Sequence, residues 1–366
     1  MKKILIGIIC DGNAGGLDNY ILNFYQKVLN DSIKIDFLTN IADNPLKQKV
    51  AQNGSDVFCI PSLNNPVKQY SEAKKLFEEQ NYDIVYLNIS TAVTFPVFLA
   101  AKMAKVKKII AHSHSSGFDI QNKYKRFIMT VLHKICKHIL SVCCTDFLTC
   151  SQKAAEWLFT KSAIRNNDIK HIQNTIDITK FQFDQTKRDS IREQLNLKDK
   201  FVIGTAGNMV FVKNHLFLLD VFSIIAKKDD SARLVIAGDG PLFSLIENRI
   251  KNLKLSDKVI LPGRIDISKG YMSAFDVFAL PSFFEGMPIV SLEAQCAKLP
   301  CVLSDTITRE SKISNMCDFS TIKNADIFAN AILKYKGINR ESFAFTKDLQ
   351  CFSSESQKEV FRNIIS

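Results

Sequence analysis

Glu285 and Glu293, eight positions apart, and Lys213 earlier in the chain are residues whose type and surroundings could do chemistry. Glu285 lies in Phe284-Glu285-Gly286-Met287-Pro288. Pro288 suits the first position of a helix running toward Lys298, which puts Glu285 in a loop and Glu293 on the helix. A helix start offers unpaired N–H groups to anions or hydroxyls, and Gly286 lets a ligand approach the backbone. Ionised carboxylates only accept hydrogen bonds, so two of them around that point suit a hydroxyl-rich ligand. A lysine is a point charge suited to phosphate. Spacing alone favours two surface glutamates, and a lysine alone reads as solvated. His112 and His114 end the apolar run Lys108-Ile109-Ile110-Ala111 and share one face of a strand. HSH has no convincing carboxylate or cysteine partners for a metal, and none is expected. Asp11-Gly12-Asn13-Ala14-Gly15-Gly16 matches neither the dinucleotide fingerprint nor a Walker loop, which argues against a dehydrogenase and a P-loop NTPase.

The elements that must hold these residues alternate: apolar runs of strand length, ILIGIIC, DIVYLNI and KIIAHSH, are each followed by a longer helical pattern. The rhythm restarts with FVIGTAG, ARLVIAGDG, KVILPG, DVFALPS and PCVLSD. This is an α/β chain of two doubly wound units with parallel sheets. The expected boundaries are 1–175 for the first and 176–349 for the second, with 350–366 packing back on the first. Open parallel sheets bind ligands at the carboxyl ends of their strands, so a cleft between the units is the expected site. Gly238 and Gly240 stand at strand-to-helix turns and read as structural.

With 366 residues, 46% hydrophobic and 23% charged, the chain has the composition of a soluble protein of about two domains, at roughly 150 residues each. No apolar tract is long enough to span a bilayer. Ten cysteines form no CxxC pair, so zinc and a disulfide framework are not indicated and a reduced, cytoplasmic setting is expected. Residues 1–175 hold 22 Lys and Arg against 14 Asp and Glu, most of the net +11. Within them, the segment 122–140 mixes Lys123, Lys125, Arg126, Lys134 and Lys137 with Phe127, Ile128, Val131, Leu132, Ile135, Ile139 and Leu140. Such a helix could lie on an anionic membrane or dock on its own core. Basic residues without a recognisable binding motif do not argue for nucleic acid.

Glu285-Gly286-Met287-Pro288 followed by Glu293 resembles the E-x7-E element of glycosyltransferase family 4, whose members have the GT-B fold of two Rossmann-like doubly wound domains facing a central cleft. The resemblance implies that Glu285 faces the donor sugar and Glu293 the ribose hydroxyls, with Gly286, Met287, Pro288 and Ile289 cradling the sugar. Gly207 to His215 resembles the element that usually reads G-R-x4-K, whose lysine, here Lys213, would meet the donor diphosphate. Asn208 stands where the family usually has arginine, so one of two expected diphosphate cations is missing. Ile236 to Pro241 and Leu261 to Arg264 resemble the next two strand ends, leaving Arg264 open between base contact and surface charge. The loop carrying Gly15 and Gly16 resembles the glycine-rich loop facing the donor phosphates, with a tight turn alone as the other reading. The family commonly has a histidine near the transferred sugar; His114, nearer the loop than His112, is the candidate.

The implied activity is that of a retaining, metal-independent glycosyltransferase with no bound cofactor, with His114, Lys213 and Glu285 as catalytic candidates. It would move a hexose or N-acetylhexosamine from a nucleoside diphosphate sugar, expected to be UDP-linked, to a glycan acceptor, lipid-linked, in surface-polysaccharide biosynthesis. The expected location is cytoplasmic and peripheral at the inner face of the cell membrane. A sugar-nucleotide epimerase of the same fold and a non-catalytic nucleotide-sugar-binding subunit are the alternatives.

Overall fold

The computed structural model describes residues 1–9, 16–30, 32–166, 169–353 and 357–365. The chain divides into two compact units, Met1–Thr175 with Ser354–Ser366, and Ile176–Ser353.

The first unit is built on β1 (Lys2–Ile9), β2 (Ile33–Thr39), β3 (Val57–Cys59), β4 (Ile84–Ile89), β5 (Lys108–Ser113), β6 (Asp146–Thr149) and β7 (Ile169–His171). They form one parallel sheet in the order β3-β2-β1-β4-β5-β6-β7. Helices cover both faces, so strands read as near-continuous apolar runs; every residue of β4 is buried. One face packs on Val97, Phe98, Leu140, Leu158 and Phe159. The other packs on Tyr20, Phe24 and, from the far end of the chain, Phe361, Ile364 and Ile365. Those last three belong to the helix Gln357–Ile365, and Lys2 Nζ donates to the Ile365 carbonyl at 2.7 Å.

The second unit comprises β8 (Phe201–Ala206), β9 (Ala232–Ala237), β10 (Val259–Ile260), β11 (Val277–Leu280), β12 (Cys301–Ser304) and β13 (Cys317–Ser320), again all parallel, in the order β10-β9-β8-β11-β12-β13. In both sheets the chain winds outward from its first strand and then returns to that strand's other side. The connections leaving β8 and β11 therefore diverge and open a crevice at the carboxyl ends of those strands. At the opposite end of the second sheet, Arg188 and Arg192 of the helix Gln185–Gln194 grip Asp276 at 2.6 and 2.7 Å, and Asp276 also accepts from the Val202 amide. This pins the amino ends of β8 and β11 to each other. Among the described residues no helix is long and apolar enough to cross a membrane.

Candidate active site

The crevice of the second unit is walled by the loops that follow β8 and β11, and these loops are tied together. The Phe283 amide donates to the Val212 carbonyl at 2.8 Å, Asn214 Nδ2 to the Pro281 carbonyl at 3.1 Å, and Phe211 stacks on Phe283 at 4.7 Å. The β8 loop makes a single 3-10 turn, Phe211–Lys213, and reverses through Asn214 at φ 55°, which aims Lys213 back across the crevice. Its Nζ meets Glu285 Oε1 at 2.8 Å, and Ser282 Oγ donates to the same oxygen at 2.8 Å. Ser282 is itself buried, and Thr306 from the β12 loop donates to its carbonyl at 3.0 Å. Three strand ends thus fix one carboxylate beside one ammonium.

Glu293 sits on the helix Ile289–Cys296, which begins one residue after Pro288 and stops short of Lys298 because Lys298 takes a left-handed backbone, φ 52°. Its carboxyl has no hydrogen bond or ion pair among the described residues. Burial pushes it up to about 7, and the like charge of Asp266 adds to the rise. A half-protonated carboxyl without a protein partner is poised to take one from a ligand. Gly286, Met287 and Pro288 are buried beneath it in the chain, and Ile289 is half-buried. Asn208 and Arg264 are both exposed, the first in the β8 loop and the second in the loop after β10. Gly238, at φ 149°, has a structural reason to be glycine: a Cβ there would lie 2.0 Å from the Gly207 carbonyl oxygen.

In the first unit, His112 and His114 lie on one side of β5's end, ring centroids 4.0 Å apart. His112 is sealed in, with Nδ1 at 2.7 Å from Tyr86 Oη and Nε2 without a partner; burial holds it well below the usual histidine range. His114 is half-buried at the strand end, and desolvation lowers it to about 3, so it is neutral at physiological pH. Its tautomer follows from a neighbour. Asn88 Nδ2 donates to the Gly7 carbonyl at 3.2 Å, which leaves Asn88 Oδ1 to accept from His114 Nε2 at 2.9 Å. The proton is therefore on Nε2, and Nδ1 presents a lone pair able to accept from a hydroxyl. Gly16 opens the helix Gly16–Val28; Gly15 and the rest of its loop, 11–15, lie outside the described residues.

The structure brings Lys213 and Glu285 into contact within the second unit and His114 against Asn88 in the first. Sequence reasoning missed Ser282 and Asn88. The signal for Asn88 was a lone amide near the end of an otherwise apolar strand, IVYLNI; Ser282 carried no signal apart from its place just after β11. Among the described residues no group of three or more His, Cys, Asp or Glu side chains gathers as a metal ligand set.

Comparison with known proteins covers both units. Residues 14–180 match the family described as Glycosyltransferase Family 4, and residues 187–336 the family described as Glycosyl transferases group 1. EpsF of Bacillus subtilis (strain 168), which carries a glycosyltransferase name, is 26% identical over 354 residues, 95% of this chain and 91% of the relative. The UDP-Gal:alpha-D-GlcNAc-diphosphoundecaprenol alpha-1,3-galactosyltransferase of Escherichia coli is 27% identical over 336 residues, 90% of this chain and 79% of that one. Among solved structures, Anabaena Alr3699/HepE in complex with UDP-glucose superposes with a TM-score of 0.72 at 18% identity, over 99% of each chain. S. aureus TarM, a G117R mutant in complex with Fondaparinux, alpha-GlcNAc-glycerol and UDP, gives 0.74 at 13% identity over 100% of each chain.

Proposed function

The chain belongs to glycosyltransferase family 4 and has the GT-B fold, and from that premise we propose that it transfers a hexose or N-acetylhexosamine from a UDP-sugar to a lipid-linked glycan in surface-polysaccharide synthesis. The observation that carries the reading is the pairing of Lys213 with Glu285 at the switch point of the second sheet, with Glu293 left unpartnered on the next helix. In this reading the donor diphosphate takes Lys213 as its counter-ion and Glu285, released from the lysine, turns to the sugar hydroxyls. Glu293 accepts from the ribose. Lys213 then stabilises charge on the leaving diphosphate, an electrostatic effect that grows as the bond to the sugar lengthens.

The reaction forms a bond from the acceptor oxygen to the anomeric carbon and breaks the bond from that carbon to the diphosphate. The acceptor proton passes to the departing diphosphate oxygen on the same face, so the configuration is retained. Glu285 positions the sugar and forms no covalent bond. His114, neutral and with Nδ1 as acceptor, orients a hydroxyl of the transferred sugar. The reaction takes no metal ion or bound cofactor. The nature of the acceptor puts the enzyme at the inner face of the cell membrane, bound peripherally. The similarity to the Escherichia coli enzyme named for a diphosphoundecaprenol acceptor supports that choice of acceptor.

Calorimetry with a panel of nucleoside diphosphate sugars, followed by transfer of the tightest binder to lipid-linked glycans and NMR assignment of the new linkage, tests the reading. A UDP-sugar that binds and is transferred with its anomeric configuration kept is the expected result. Inversion would remove the same-face mechanism, and epimer formation from the UDP-sugar alone would replace transfer by epimerisation. The exposed Asn208 favours the second reading, a binding subunit without turnover. Tight nucleotide binding, no transfer to any acceptor and no gain from Asn208→Arg would establish it.

A further inference from the structure

The helix Lys123–Cys143 is amphipathic, but its wider apolar side faces away from the protein. Inward, it is held by buried His133, Cys136, Leu140 and Cys143. His133 fixes the rotation of the helix: Nδ1 accepts from the Ala92 amide at 3.1 Å, Nε2 donates to the Trp157 carbonyl at 2.7 Å, and the ring stacks on Trp157 at 4.1 Å. Outward, Tyr124, the adjacent pair Phe127 and Ile128, Val131 and Ile135 recur at intervals of three or four positions, with Val142 two turns on. Tyr124 is 84% exposed, Phe127 70%, Ile128 63%, Ile135 59% and Val142 68%. The stripe continues onto a second helix, Phe95–Met103, whose Lys102 donates to the Val142 carbonyl at 2.7 Å and whose Met103 is also exposed. A soluble monomer rarely leaves so continuous an apolar strip in water.

The charges carried by the helix itself have one sign. Lys123, Lys125, Arg126, Lys134 and Lys137 flank the strip, Lys102 and Lys105 extend it, and the 21 residues of Lys123–Cys143 contain no Asp or Glu. Two copies meeting through this face would set these cations against one another with no acidic residue of the helix to relieve them, which disfavours a second copy as the occupant. Lipid headgroups of negative charge supply the missing counter-charge, and the acyl boundary beneath them takes the apolar side chains. We infer that this face, the outward side of Lys123–Cys143 with the end of Phe95–Met103, seats the protein on an anionic lipid bilayer. The inference rests on the lipid-linked acceptor for its purpose. Its surface rests on the side chains just named.

Flotation of the full chain with vesicles tests it. Co-flotation is expected with phosphatidylglycerol mixed into phosphatidylcholine and not with phosphatidylcholine alone, weakening as salt is raised. Two variants separate the two halves of the surface. Phe127→Ser with Ile128→Ser and Ile135→Ser removes the apolar stripe, and Lys123→Glu with Lys134→Glu reverses its edge. Each should weaken binding about tenfold or more, while UDP binding, read by calorimetry on the same samples, stays as in the parent and shows the variants folded. Absence of parent binding to anionic vesicles overturns the inference. So does unchanged binding of the apolar variant, or a concentration-dependent dimer, seen by light scattering, that the apolar variant abolishes. Vesicle binding without affinity for any UDP-sugar would sink the functional reading and leave the docking face standing. Transfer to a water-soluble acceptor without vesicle binding would do the reverse.

Discussion

The two ends of the second sheet use the same residue types for opposite purposes. At the amino end of β11, Asp276 is saturated: Arg188 and Arg192 grip its two oxygens, the Val202 amide shares one, and Arg340 alongside donates to the Ala297, Ser273 and Phe275 carbonyls. At the carboxyl end, Lys213 and Glu285 hold each other across the crevice and Glu293 has no partner among the described residues. A partly buried charge paired and hydrogen-bonded at both oxygens locks a fold. A charge left in a like-charged, desolvated setting stores a preference that a ligand can release. The same sheet thus has a structural pole and, in the proposed function, a binding pole.

The sharpest way to break this comparison is to remove one charge at each pole. Lys213→Ala should lower kcat by about 10²–10³ while unfolding in urea shifts by about 1 kcal/mol or less. Asp276→Ala should do the opposite, costing about 2–4 kcal/mol because two guanidinium groups lose their counter-ion, with the surviving folded fraction turning over at a normal rate. Equal losses of stability at both ends would dissolve the distinction.

A smaller effect is expected in the first unit. Asn88→Ala frees the His114 ring to exchange tautomers, and kcat should fall about tenfold with KM for the nucleotide part little changed, as for a loosened positioning contact to the sugar. Nitrogen-15 NMR of the imidazole would show the Nε2–H form giving way to a mixture. Asn88→Asp, which keeps an acceptor at the same place, should restore the Nε2–H form. An unaltered spectrum in the alanine variant would remove Asn88 from the mechanism.

Glu293 gives a pH dependence whose sign is fixed by its upward shift from 4.5 to about 7. Between those values the unfolded chain ionises this group and the folded chain does not, so its contribution to stability falls as pH rises and levels off above about 7. Ligand hydroxyls donate to the ionised form, so UDP affinity should rise from pH 6 to pH 8, by up to about tenfold. His114 and His112, both neutral across that window, add nothing to the slope. Glu293→Gln should flatten the profile, and calorimetry in two buffers should detect proton release in the parent only. The smallest effect belongs to Asn208→Arg, which adds a second cation near Lys213 and should tighten UDP binding several-fold; no change would mean that the exposed loop position does not reach the diphosphate.

The fold was legible because its signal is local. Strand-length apolar runs such as Ile84–Ile89 and Phe201–Ala206 can be buried on both faces only in a parallel sheet covered by helices, and that pattern survives in the order of residues. The family was legible for a related reason: Glu285, Gly286, Pro288 and Glu293 fall within one loop and one helix, so their spacing is itself the motif. What the sequence could not determine depends on contacts between distant residues. Lys213 and Glu285 are 72 positions apart, and their pairing follows from β8 lying beside β11. The tautomer of His114 is set by a chain of hydrogen bonds through Asn88 to Gly7 on a third strand. The direction of the helix Lys123–Cys143 is the plainest case. Its sequence gives two unlike faces, and the apolar stripe would ordinarily point inward, yet His133 and Trp157 rotate it toward solvent. Periodicity tells which residues share a face, whereas only packing tells what that face meets.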